Sequence, residues 1–242
     1  MSTFVLIHGA WHGAWCWELA APLLEAAGHR AIALDLPGMG ADPTPLSQVT
    51  LERWARFVVE VINAEDEPVV LVGHSRAGVV ISQAAEYAPD RITSLVYLAA
   101  FLVPNGRTVL QTMQSIPPRP ESEGSLVLSA DGTSTIAPHA VQDIFYNTTA
   151  AQLVNRAAGL VGPEPMSVFT TPLQLTAERW GKVPRDYIRC TRDRAIAPDL
   201  QHKMLHALPC RRVVTMDTDH SPFYSAPERL SAELVALVQA GS

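Results

Sequence analysis

Cysteine is scarce. The chain carries three among 242 residues, Cys16, Cys190 and Cys210, far apart, odd in number and without C-x-x-C spacing. That argues against a disulfide framework or a thiolate metal site and fits reduced, buried thiols in a cytoplasmic protein. Net positive charge is also missing. With 18 Lys and Arg against 24 Asp and Glu the formal charge is −6, which speaks against a nucleic-acid or anionic-membrane partner. No apolar run reaches the roughly 20 residues that span a bilayer, so no membrane insertion is expected. The opening M-S-T-F-V-L-I-H has no basic stretch or cleavage site and runs straight into an apolar segment. Repeats and low-complexity tracts are absent. What remains is a chain 48% hydrophobic and 17% charged, able to bury the core of one sizeable domain.

The pattern within it is an alternation. Apolar, often β-branched runs of strand length occur at residues 4–7, 31–34, 69–72, 92–99, 186–190 and 211–216. Between and after them, apolar positions recur at helical spacing over 15–27, 50–64, 76–87, 198–208 and 227–239. Gly28 is placed to stop the first helix. Thr50 is placed to cap the second, although Arg53 three residues on leaves the capping box incomplete. Pro198 stands at a tolerated first helical position. Strand–helix alternation predicts an α/β fold with a mostly parallel six-stranded sheet and helices on both faces.

The alternation fails between residues 104 and 184, a stretch holding nine of the 19 prolines. P-P-R-P at 117–120 and A-D-G-T at 130–133 read as loop or turn. Residues 125–128 and 134–136 can pair as a small hairpin across the second turn, and 137–146 and 149–160 look helical. A structureless loop of this length is uncommon, and this one is rich in apolar residues. We therefore expect an inserted helical cap over the site, with 1–103 and 185–242 forming the core of a single domain.

Residues 69–78 read V-V-L-V-G-H-S-R-A-G: a strand, a sharp turn carrying a serine, then a helix, the nucleophile-elbow pattern. The positions two before and two after Ser75 must be small. Gly73 meets this; Ala77 departs from the strict G-x-S-x-G form, with Gly78 one place later. A serine hydroxyl needs a base, the base needs an orienting partner, and the oxyanion needs two N–H donors. His220 lies in D-H-S-P just past the last strand, at the carboxyl edge of the sheet where open α/β folds bind ligands; the other seven histidines fit less well. Asp193, in C-T-R-D after the preceding strand, is the candidate orienter. Asp199, Asp217 and Asp219 compete, the last too close in sequence to His220 to reach its Nδ1 easily. The order Ser, Asp, His is that of α/β hydrolases. The backbone N–H groups of Arg76 and Ala10 are the candidate oxyanion donors. The Arg76 side chain is expected in solvent, the commoner fate of arginine, the alternative being a polar substrate group. Trp11, His74, Phe101, Phe145, Tyr146, Phe169 and Ser221 are the candidate substrate contacts; Trp180 and Phe223 are further aromatics that could line an apolar pocket or simply pack in the core. No cofactor and no metal is called for.

At these residues a resemblance becomes specific. H-G-A-W-H-G-A-W-C-W at 8–17, L-L-E-A-A-G-H at 23–29, A-L-D-L at 33–36, V-G-H-S at 72–75, L-A-A-F at 98–101 and D-H-S-P at 219–222 resemble the small α/β-hydrolase family of plant methyl-ester esterases, polyneuridine aldehyde esterase, plant hydroxynitrile lyases and related bacterial esterases, over nearly the whole chain. The resemblance implies a Ser-Asp-His triad, a helical cap, a small-molecule ester as substrate and often a homodimer. Two departures bear on the reaction. The lyases carry threonine after the first histidine and lysine after the catalytic one, where this chain has Gly9 and Ser221, which favours ester hydrolysis over cyanohydrin cleavage. A non-catalytic binding protein on the same fold is the other alternative. The usual G-H-S-L/M-G-G is G-H-S-R-A-G here, which makes Arg76 the mark of a distinct substrate.

Overall fold

The computed structural model describes residues 1–117 and 124–239. Its strands are β1 (Thr3–Ile7), β2 (Arg30–Leu34), β3 (Val69–His74), β4 (Ile92–Leu98), β5 (Leu126–Leu128), β6 (Thr133–Ile136), β7 (Glu164–Pro165), β8 (Arg185–Cys190) and β9 (Arg212–Met216). Its helices are α1 (Ala20–Ala26), α2 (Leu51–Asn63), α3 (Ala77–Tyr87), α4 (Val109–Met113), α5 (Ala140–Phe145), α6 (Ala151–Ala158), α7 (Ser167–Thr170), α8 (Pro198–Ala207), α9 (Pro222–Ser225) and α10 (Pro227–Gln239). Six strands form one sheet in the order β2-β1-β3-β4-β8-β9, every neighbouring pair parallel.

Side-chain alternation along each strand divides the core. Val5, Ile7, Leu71, Leu95 and Tyr97 join one buried cluster with Trp54 of α2 and Ile81 of α3. Phe4, Leu6, Val70, Val72, Val96 and Leu98 join the other with Leu24 of α1 and Leu234 of α10. Strands buried on both faces show the continuous apolar runs read from the sequence. Thr50 does cap α2, its hydroxyl accepting from the Arg53 N–H at 3.1 Å, which satisfies one of the four orphan donors of that end.

Three local features differ from the sequence reading. The helix expected over 15–27 is split into a 3₁₀ turn, Ala14–Trp17, and α1. Pro22 explains this: lacking an N–H, it is tolerated only in the first turn of a helix, so α1 starts at Ala20. The hairpin in the insert forms with Leu126 opposite Ile136, and a third strand, β7, adds to its other side with Ser134 opposite Glu164. Two residues are too few for a strand signal in the sequence. The short helices α4, α7 and α9, each five residues or fewer, likewise have too few residues to show a helical period in the sequence. The loop reading of 118–120 lies outside the described residues.

Candidate active site

Each chemical element of the site follows the carboxyl end of a strand: 8–11 after β1, Ser75 after β3, Phe101 after β4, Asp193 after β8 and His220 after β9. Parallel strands put all these ends on one edge of the sheet. Between β3 and α3 the chain reverses within two residues. Ser75 takes φ +55°, the left-handed region that costs a non-glycine residue energy and persists only when its surroundings fix it. They do so here: the Ser75 N–H donates to Leu98 O, and Ser75 O accepts from the N–H groups of Gly78 and Phe101. A Cβ on Gly78 would stand 2.1 Å from Phe101 O, and one on Gly73 would stand 2.9 Å from Ala77 O. The close approach falls three residues after the serine, and the alanine at 77 is accommodated.

His220 and Asp193 meet 27 residues apart in sequence. His220 Nδ1–H donates to Asp193 Oδ2 at 2.8 Å, with both side chains buried. Asp193 is held by further donors: the N–H groups of Ala195 and Ile196 at Oδ1 and Gln201 Nε2 at Oδ2. Burial pushes its carboxyl above the usual range, and His220 and the two N–H donors pull it back. The other face of the imidazole, Nε2, is buried and meets no acceptor among the described residues. The competing carboxylates are engaged elsewhere. Asp217 pairs with Arg192 at the surface. Asp219 accepts from Thr148 N, Thr149 Oγ1 and Ser225 Oγ, tying the histidine loop to the insert. Asp199 lies on α8.

The loop after β1 is fixed by two neutral histidines. His8 Nδ1 donates to Gly9 O at 2.8 Å and its Nε2 accepts from the Leu36 N–H. His12 Nδ1 donates to Ala10 O and its Nε2 accepts from the Tyr146 hydroxyl, each at 2.6 Å. Burial lowers both imidazoles, His12 to about 4, so each keeps one donor and one acceptor. Neither the Ala10 nor the Arg76 backbone N–H has an acceptor among the described residues.

The Arg76 side chain overturns its expectation. It is fully buried, its Nε donating to Glu164 Oε1 at 2.6 Å and its Nη2 to Gly9 O at 3.1 Å, with the guanidinium 4.1 Å over the Trp54 ring. Glu164 is 88 residues away on β7, so no local pattern signalled the pairing.

Ser75 opens on a cavity of about 150 Å³. Of the expected contacts, Trp11, Phe101, Phe145 and Phe169 line it, as do Ala10 and Arg76, the candidate oxyanion donors. His74, Tyr146 and Ser221 do not. His74 is buried beneath, its Nε2 donating to His220 O at 2.8 Å; Tyr146 serves His12; the Ser221 N–H donates to Asp219. Phe223 packs edge-on against His74, and Trp180 bonds to the Tyr97 hydroxyl. The insert supplies wall residues that sequence reasoning missed, among them Leu110, Met113, Ile144 and Met166. A larger cavity of about 570 Å³, touching Arg30, Glu65 and Arg211, lies at the opposite, amino-terminal edge of the sheet, away from these groups.

A model of the alpha/beta hydrolase family matches residues 4–233. The chain belongs to this family. Among curated relatives, Methylesterase 2 of Arabidopsis thaliana is 33% identical over 97% of this chain and 95% of its own length. Among solved structures, polyneuridine aldehyde esterase is 25% identical with a TM-score of 0.88, covering 98% of this chain and 99% of that one. A pyrethroid hydrolase from Sphingobium faniae JZ-2 is 27% identical with a TM-score of 0.87, covering 99% and 98%. As an α/β hydrolase, the chain has its six parallel strands and elbow in the places expected from its sequence. Among the described residues no helix is long and apolar enough to cross a membrane, and no group of three or more metal-ligating side chains comes together.

Proposed function

We propose that this protein, a carboxylesterase-type hydrolase, cleaves its ester through an acyl-enzyme on Ser75. In this reading Ser75 Oγ attacks the ester carbonyl while His220 Nε2 takes its proton. The N–H groups of Ala10 and Arg76 receive the oxyanion. His220 returns the proton to the departing alcohol, then activates the water that releases the acid. Asp193 holds the Nδ1–H tautomer and balances the imidazolium that forms in each step.

The observation that carries this reading is the buried His220–Asp193 pair, bonded at Nδ1 and free of any described acceptor at Nε2. No hydrogen bond joins Nε2 to Ser75 among the described residues, and such contacts tighten when substrate is bound. The apolar wall supports an apolar acid portion, and relatives named methylesterases support a small alcohol as leaving group. The segment 104–184, which supplies much of that wall, acts as the cap. Cyanohydrin cleavage has less support: a side chain at position 9 would meet His74 Nδ1 at 2.7 Å and Ser75 Cβ at 2.8 Å, so the threonine of the resembling lyases has no room.

Replacing Ser75 with alanine should abolish hydrolysis of p-nitrophenyl acetate, and a fluorophosphonate probe should label the wild type at Ser75 alone. Turnover undiminished in Ser75→Ala would refute the reading.

A further inference from the structure

Arg76 occupies an unusual position: its backbone N–H is one of the two proposed oxyanion donors, and its side chain reaches the peptide that carries the other. Among the described residues no peptide bond is cis, so the Gly9 carbonyl and the Ala10 N–H point in opposite directions from one planar unit. Gly9 O accepts from His8 Nδ1 and from Arg76 Nη2. Holding that oxygen fixes the direction of the Ala10 N–H.

The next peptide is held from the insert. The Trp11 N–H donates to Glu164 Oε2 at 3.1 Å, with Trp11 itself in the left-handed region at φ +62°. Glu164 therefore contacts both halves of the arrangement: Arg76 through Nε, and the first loop through Trp11. Its own strand is fastened there too, since the Trp11 indole donates to Ser134 O at 3.2 Å, and Ser134 lies opposite Glu164. Both charged side chains are wholly buried. A displaced carboxylate would leave a charge unpaired in the interior, which is far costlier than moving a surface ion, so this pair resists small shifts.

We propose that Glu164 is a positioning residue for the oxyanion hole, and that with Arg76 it sets the spacing and direction of the Ala10 and Arg76 N–H groups. The proposal rests on the hydrolytic reading above. It assigns the inserted segment a part in transition-state stabilisation besides lining the pocket.

The test is Glu164→Gln. Glutamine is nearly isosteric, yet it puts an amide NH₂ against either the Trp11 N–H or the guanidinium. The expected result is a kcat lower by roughly 10- to 100-fold, the scale of sub-ångström to ångström misplacement, with KM within about threefold. Affinity for a boronic acid, which mimics the oxyanion adduct, should fall by the same factor, while inhibition by the carboxylate product stays put. A folded Glu164→Gln enzyme with wild-type kcat overturns the proposal. Should that variant not fold, Arg76→Met/Glu164→Leu removes both charges and keeps both backbone N–H groups. Low kcat in this double variant at wild-type melting temperature supports positioning; full kcat shows that the pair only neutralised itself and overturns it. Ser75→Ala run alongside separates the two claims. Retained turnover there sinks the hydrolytic reading and this proposal with it, whereas a dead Ser75→Ala beside a fully active Glu164→Gln sinks the proposal alone.

Discussion

Gly78 meets Phe101 backbone to backbone: a Cβ on the glycine would lie 2.1 Å from the Phe101 carbonyl oxygen. The contact lets α3 dock on the loop after β4, and that loop in turn donates the Phe101 N–H to Ser75 O. Since a carbonyl cannot rotate away as a side-chain tip can, Gly78→Ala should destabilise the fold by about 3 kcal/mol or more. Ala77→Gly, one residue earlier, should cost only about 1 kcal/mol, the ordinary helix penalty, and keep its activity. Urea unfolding of the two variants checks the contrast.

Asp193→Asn should leave the fold in place and lower kcat roughly 10³- to 10⁴-fold. Both carboxylate oxygens of Asp193 accept from N–H groups, so the asparagine NH₂ must face a donor on one side. If it faces His220, the Nδ1–H tautomer is lost. Steady-state kinetics on p-nitrophenyl acetate, with a melting curve as control, measure this.

His12 should make the protein acid-sensitive. Burial lowers it to about 4 in the fold, against about 6.5 in the unfolded chain. Above pH 6.5 both states are neutral and the full stability is present. As pH falls toward 4 only the unfolded chain takes up the proton, so stability is lost in that window, by about 2 kcal/mol between pH 7.5 and 5. His8 and His74 are lowered by burial as well and act in the same sense. Asp193 and Glu164, raised by burial, act in the opposite sense. The difference between wild type and His12→Gln isolates the one group: urea midpoints at pH 7.5 and 5 should separate less in the variant.

Phe169 closes the cavity from α7, its ring 5.9 Å from that of Trp11. Phe169→Ala should open room for a longer acid portion. We expect kcat/KM for p-nitrophenyl octanoate to rise relative to the acetate by about tenfold, within the range that a few methylenes of apolar contact supply. Phe145 is the poorer choice for this experiment because its ring also packs on His220.

Whatever depends on neighbours along the chain was legible in the residues alone. Continuous apolar runs and period-3.6 patterns set the strands, the long helices and their order, and parallel strands then bring their carboxyl ends to one edge. That places 8–11, Ser75, Asp193 and His220 together, because each directly follows a strand. The hairpin of the insert was legible for the same reason, in a turn flanked by pairable runs. Whatever depends on residues remote in sequence had to wait for the folded chain. Arginine usually stays in solvent, and nothing within a few residues of Arg76 says otherwise; its burial is settled by Glu164, from a two-residue strand far along the chain. His74, Tyr146 and Ser221 sit beside the proposed chemistry in sequence or in space, yet their bonds to His220 O, His12 and Asp219 keep them off the cavity wall. Local pattern fixes elements and edges. The pairing of buried polar groups is long-range and specific to each interior, and it is what orients the peptide units around Ser75.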